Sequence, residues 1–140
     1  MFDIVFLPPS NIIKILNSNK ELAIKLDTTM WELKDYIASW AYNTYDFFND
    51  HKDKFLVTTF NKSINEVDAL KMVYKNEDEI EITYVKLIGP KFYYDENQEY
   101  DVVESSKVEE IIQASIFPIV ITMDQLQEWH FGDFYNLLQP

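Results

Sequence analysis

The chain has no cysteine, no arginine and only two glycines in 140 residues. Without cysteine, disulfides, thiolate nucleophiles and Cys-ligated zinc are excluded, and the composition suits a reducing compartment. Without arginine, the chain has no guanidinium fork for bidentate contacts to phosphate or to a guanine edge. Glycines stand only at positions 89 and 132. That excludes a glycine-rich phosphate loop and a glycine-flanked serine elbow. No apolar run approaches the roughly 20 residues of a membrane-spanning helix. Met1 to Leu7 carries Asp3 and lacks a basic start, unlike a secretory signal. A soluble, cytoplasmic protein is the expectation.

What the chain does have is acid and aromatic character. Twenty-four Asp and Glu face 12 Lys, a net charge of −12 that repels nucleic-acid backbones and anionic membranes. Aromatic residues make up 16% and hydrophobic residues 47%, which favours a packed core over disorder. A chain of this length suits one domain and buries about two-thirds of its unfolded surface without staples. Its richness in Asn, Lys, Ile, Tyr and Phe is associated with AT-rich genomes, as in low-GC bacteria and their phages.

Periodicity predicts the elements. Phe2–Leu7 reads as a strand ended by Pro8-Pro9. Asn11–Leu16 and Glu21–Leu26 alternate apolar and polar residues around Asn17-Ser18-Asn19-Lys20, a hairpin. Thr29 and Glu32 have capping-box spacing, and a helix is expected from Met30 to Phe48 with Leu33, Ile37, Trp40, Ala41 and Phe48 inward. Tyr36 and Phe47 fall partly off that stripe and need cover, either from the C-terminal 50 residues or from a partner, with packing inside the chain the favoured reading. Phe55–Phe60 reads as a strand, Ile64–Lys71 as a short helical turn, Met72–Lys75 and Glu79–Leu87 as strands. Beyond Gly89-Pro90, Phe92–Tyr94 reads as a strand and Asp95–Glu104 as an acidic loop. Ser106 and Glu109 open a predicted short helix with Val108, Ile111 and Ile112 inward. Pro118–Thr122 is a predicted strand, and either Thr122 with Gln125 or Asp124 alone caps a last helix ending near Gly132.

The order hairpin, helix, strand, turn and final strand, with Ala69–Ile82 as its most telling stretch, resembles the ubiquitin-like β-grasp superfamily over about residues 12–89. The resemblance implies a scaffold that works by binding. The terminal Gly-Gly of conjugated members is missing, so conjugation is not implied. The fold class expected is α+β: a β-grasp-like mixed sheet with one long packed helix over residues 1–90. A C-terminal αβα extension over 91–140 packs on it, making 1–140 a single domain.

Few residues offer chemistry. His51 lies in a loop with Asp50 and Asp53, and His130 lies between Trp129 and Phe131. The first is expected to be solvated, the second packed near a helix end. Asp95, Asn97, Glu99 and Asp101 alternate as in a calcium loop. However, Tyr100 replaces the glycine at position six and Ser106 the glutamate at position twelve, so no metal site is expected. No catalytic residue and no cofactor is expected.

The charge is concentrated. Residues 71–140 carry a net −9 and residues 1–70 only −3. Glu77, Asp78, Glu79 and Glu81 form one cluster. Asp95, Glu96, Glu99, Asp101 and Glu104 form another, interleaved with Tyr93, Tyr94 and Tyr100. Carboxylates beside tyrosines suit a basic groove, where they replace phosphates against Lys and Arg. These residues are the expected contact set for a basic protein partner, a nuclease or another nucleic-acid-binding protein. The expected role is non-enzymatic inhibition of that partner, as in phage counter-defence or toxin-immunity proteins, without direct binding to nucleic acid or membrane. The alternative is a ubiquitin-like adaptor or structural subunit, with acidity serving solubility.

Overall fold

The computed structural model describes residues 2–61, 63–76, 78–95 and 100–137, and the fold is α+β. Two-residue periodicity yields the first sheet. Strands β1 (Phe2–Phe6), β2 (Ile12–Asn17) and β3 (Lys20–Lys25) pair antiparallel in the order β1-β2-β3. The β2–β3 turn sits at Ser18-Asn19, with Ser18 at φ 56°, so the predicted hairpin forms, with Asn17 and Lys20 paired in the ladder rather than in the turn. Ile4, Phe6, Ile13, Ile15 and Ile24 enter the core from this sheet.

Helix α1 spans Leu33–Asp50. It starts one turn later than the Thr29–Glu32 spacing predicts. Glu32 is the N-cap, and the Asp35 carboxylate accepts its backbone N–H at 2.9 Å. Thr29 instead donates its N–H to Asp27 Oδ1 in a local turn at 2.9 Å. The buried face is also rotated from the expected one. Tyr36, Ser39, Trp40, Asn43, Thr44 and Phe47 are buried, while Leu33, Ile37, Ala41 and Phe48 flank the core at partial burial. Rings carry more apolar area than Leu, Ile or Ala, so the wider aromatic residues take the centre.

The main sheet contains β4 (Lys54–Asn61), β5 (Glu66–Asn76), β6 (Glu79–Ile88), β9 (Val108–Ile111) and β10 (Ile119–Ile121). Its order is β10-β6-β5-β4, with β9 also on β6, all antiparallel. The helical turn predicted within Ile64–Lys71 is a strand from Glu66 onward, because β4 and β6 pair with it on both sides. The acidic loop predicted at Asp95–Glu104 is largely ladder. Strand β7 (Lys91–Asp95) pairs with β8 (Tyr100–Ser105). The helix predicted after Ser106 is also a strand, since Val85–Ile88 offers β9 a free sheet edge. A solvated helix of that length gains less than ladder pairing does.

The final strand of the expected β-grasp order, β6, lies inside its sheet. The hairpin β2–β3 pairs with β1 and not with β6. Burial changes face along the main sheet. Leu70, Met72, Ile80, Ile82 and Tyr84 are buried on one face, joined by Ile119 and Ile121. Val67, Ala69, Val85 and Leu87 are buried on the other. There Phe60, opposite Val67, stacks under Trp31 at 4.6 Å and meets the edge of Phe92 at 5.1 Å.

Helix α2 (Met123–Trp129) is capped as the sequence indicates. Thr122 Oγ1 accepts from Gln125 N–H at 3.1 Å, and Gln125 Oε1 accepts from Thr122 N–H at 2.9 Å. A π turn follows at His130–Phe134, where Gly132 leaves helical dihedrals. Phe47→Ala is expected to cost about 3–5 kcal/mol and Ile37→Ala distinctly less, since Phe47 is fully buried and Ile37 only partly so. Urea denaturation of the two variants measures the difference. Equal losses would restore the Leu33–Ile37–Ala41 face as the centre.

Candidate functional site

The two predicted acidic clusters lie in different sheets. Asp78, Glu79 and Glu81 belong to the β5–β6 turn and the start of β6, and Glu77 lies outside the described residues. Tyr93, Tyr94 and Asp95 are in β7, and Tyr100, Asp101 and Glu104 in β8. Their backbones pair Tyr93 with Val102, Tyr94 with Asp101 and Asp95 with Tyr100. Glu96 and Glu99 lie outside the described residues. Val103 anchors this ladder in the core, and β8 lies against α1.

The first cluster is itself divided between two clefts. Asp78 joins His51, Tyr74, Thr122, Met123 and Asp124 around an open cleft of about 390 Å³. Glu81 lines a second opening of about 310 Å³, between β9 and β10, with Thr83, Ile111, Ile112 and Phe117. The first cleft is the better site for a charged ligand, because carboxylates and rings meet there.

Each wall of that cleft has a local cause. His51 ends α1 in a left-handed conformation, φ 57°, and its N–H bonds to Phe47 O at 3.0 Å. This turn lays the imidazole on Tyr74, stacked at 4.1 Å with 15° between planes. The opposite wall comes from the β5–β6 turn, where Asn76 Oδ1 accepts the Asp78 N–H at 2.9 Å. Ladder pairing of Ile121 with Ile80 brings the N-cap of α2, and thus Asp124, beside that turn. Asp78 and Asp124 make no ion pair among the described residues. The nearby Lys54 is engaged: its ammonium holds Asp50 at 2.9 Å and Asp46 at 3.1 Å. Burial presses Lys54 toward neutrality, but these hydrogen bonds prevail and keep its pKa above the ordinary lysine value. An acidic cleft walled by stacked rings is suited to an ammonium or guanidinium group.

The other histidine is packed, as the sequence indicates. His130 is buried at the C-terminus of α2 against Phe48, Phe131 and Phe134. Its Nδ1 has no hydrogen-bond partner among the described residues. Burial alone pushes its pKa down. Among the described residues no three His, Asp or Glu side chains are grouped so as to hold a metal ion, and no helix is long and apolar enough to cross a membrane.

Sequence reasoning missed the pairing of His51 with Tyr74 and of Asp78 with Asp124, which only the fold brings together. It also passed over Glu128, Phe131 and Tyr135, although the chain beyond Lys107 has five acids and no lysine.

No protein-family model and no curated protein matches this chain. Among solved structures, one chain of the CdiA-CT/CdiI toxin and immunity complex from Enterobacter cloacae has a similar fold. The TM-score is 0.60 over 96% of this chain and 94% of that chain, at 10% identity.

Protonating a buried histidine is costly, so the folded state of His130 takes up its proton at lower pH than the unfolded state. As pH falls below about 6.5, the unfolded chain binds the extra proton and gains. The stabilising contribution is complete above that value and is lost as pH falls through the folded pKa. Chemical denaturation at pH 7 and pH 5 is expected to show a larger loss for the wild type than for His130→Leu. Equal losses would mean the imidazole titrates freely.

Proposed function

We propose that this chain is a non-enzymatic protein-binding inhibitor of the immunity type. Its partner is a basic protein that handles nucleic acid, a nuclease above all. The observation that carries the reading is the fold likeness along the whole length to a chain of a toxin and immunity complex. The charge decides which side of such a complex this chain resembles. A nuclease must approach phosphates, which a chain with net charge −12 and no arginine repels. An inhibitor of a nuclease meets its basic groove, and carboxylates suit that task. Neither histidine supports acid–base chemistry. His130 is enclosed by rings, and His51 stacks on Tyr74 without a hydrogen-bonded carboxylate among the described residues.

The contact set expected from sequence remains part of the proposal, with the Asp78–Asp124 cleft added to it. On this reading the protein would work in the cytoplasm, where a nuclease partner would meet nucleic acid. The adaptor alternative predicts a partner of ordinary charge and association that salt does not affect.

Affinity capture from the native source with mass spectrometry, followed by stopped-flow association at two salt concentrations, separates these readings. Capture of a basic nuclease, with its activity blocked and an on-rate that falls at least about tenfold between low and moderate salt, is the expected result. Capture of neutral assembly components at a salt-independent rate would replace inhibition with the adaptor role.

A further inference from the structure

The most unusual exposed surface is the outer side of α2 and the π turn. Asp124 and Glu128, four residues apart, share one face of α2, and both are exposed. Phe131 and Tyr135 continue along the chain and are 55% and 46% exposed. Phe131 leans on Phe48 of α1 with ring centroids 5.9 Å apart. Tyr45, three residues before Phe48 on the same helix, is 57% exposed. Two carboxylates of α2 are thus followed along the chain by two exposed rings, the first of which forms a ledge with Phe48. Neither Asp124 nor Glu128 has an ion-pair partner among the described residues, and no lysine follows position 107.

The ledge rests on a firm base. His130 lies beneath it, edge-on to Phe48 at 5.2 Å and to Phe131 at 4.7 Å. The chain must turn at Gly132 to present Phe131 and Tyr135 outward while Phe134 is buried. Core packing does not require Phe131 or Tyr135 at the surface, where a polar residue would serve.

We infer that Asp124, Glu128, Phe131 and Tyr135, extended by Phe48 and Tyr45, form a docking surface for an arginine-rich segment of the partner. The inference rests on the basic-partner reading above and assigns its contact face. Charge complementarity selects the occupant. The surface carries only negative charge, and a second copy would bring a further −12 against it. The rings select arginine over lysine. A guanidinium plane stacks on an aromatic face while its N–H fork pairs with a carboxylate, and a compact, strongly hydrated ammonium does neither well. Tyr, Phe and carboxylates here would supply the anchors, and the rest of the acidic surface the steering.

The test uses the full ¹⁵N-labelled chain, titrated with a 12-residue arginine-rich peptide and with its all-lysine counterpart of equal charge. Amide shifts are expected at residues 124–135 and around Tyr45, with the arginine peptide bound about tenfold more tightly. Phe131→Ser with Tyr135→Ser should abolish that preference while leaving the circular dichroism unchanged. Asp124→Asn with Glu128→Gln should weaken both peptides and is the second variant should the first fail to fold. Shifts confined to the β7–β8 ladder, or equal affinities untouched by both variants, would overturn the inference and leave the basic-partner reading standing. Failure of both peptides to bind would remove that reading as well. Self-association in sedimentation, lost in the Phe131/Tyr135 variant, would assign the surface to a second copy and overturn the arginine proposal.

Discussion

The Trp40 indole N–H donates to Val57 O at 2.7 Å, inside the core, and the layers are arranged around that bond. Val57 sits at the irregularity in β4, where the register with β5 slips before Thr59. The bond therefore ties the middle of α1 to the point where the strand bends. The Trp40 ring is also edge-on to Phe6 of β1 at 5.1 Å and lies 6.3 Å from Trp129 of α2. Trp129 donates in turn to Ile4 O at 2.9 Å. Two tryptophans thus join the first sheet, the main sheet, α1 and α2, each with its one polar atom satisfied. That matters because a buried indole N–H without a partner is costly. The C-terminal segment that carries Asp124 and Phe131 is placed by this same pair of rings.

Charge imposes the second constraint. Several of the few lysines are engaged by neighbours. Lys71 meets Glu109 at 2.9 Å, Lys54 bridges Asp46 and Asp50, and Lys20 reaches the Ser115 carbonyl at 2.7 Å. These contacts hold β9 to the sheet, α1 to β4 and the first sheet to the C-terminal segment. The first two also neutralise carboxylates at the surface. Asp78, Glu79, Glu81, Asp124 and Glu128 have no such ion pairs among the described residues, so the unbalanced charge gathers at the β5–β6 turn and along α2. Their mutual repulsion opposes folding. The large aromatic core is what allows the chain to carry that repulsion.

Much of this order was legible in the sequence. The hairpin, β4, β6, β10 and the Thr122 capping box follow from alternation and from side chains suited to their caps. The errors share a cause. Ser106-x-x-Glu109 matches a helix start, but a four-residue spacing cannot sense that β6 has a free edge waiting. Ile64–Lys71 likewise was decided by strands on both sides. The phase of α1 was misplaced because rings occur all round it. Apolar spacing alone weighted Leu33 and Ile37, where size favours Tyr36, Trp40 and Phe47. The cleft was invisible for a different reason: His51 and Tyr74, like Asp78 and Asp124, meet only through sheet pairing.

An acidic surface alone makes a poor recognition device. Exposed ion pairs are weak, screened by salt and geometrically loose. They accelerate encounter more than they hold a complex. Lifetime comes from desolvated anchors, and in this chain rings accompany the unpaired carboxylates: half-buried Tyr74 lines the cleft with Asp78, and exposed Phe131 and Tyr135 follow Glu128 along the chain after α2. A cation docking there would lose water against a ring while keeping a carboxylate partner. In that setting the cation–carboxylate attraction is worth more than in open solvent. The arrangement divides the task physically. Diffuse charge over the second half of the chain would set the rate of approach, and two small aromatic–acidic sites would set the rate of escape.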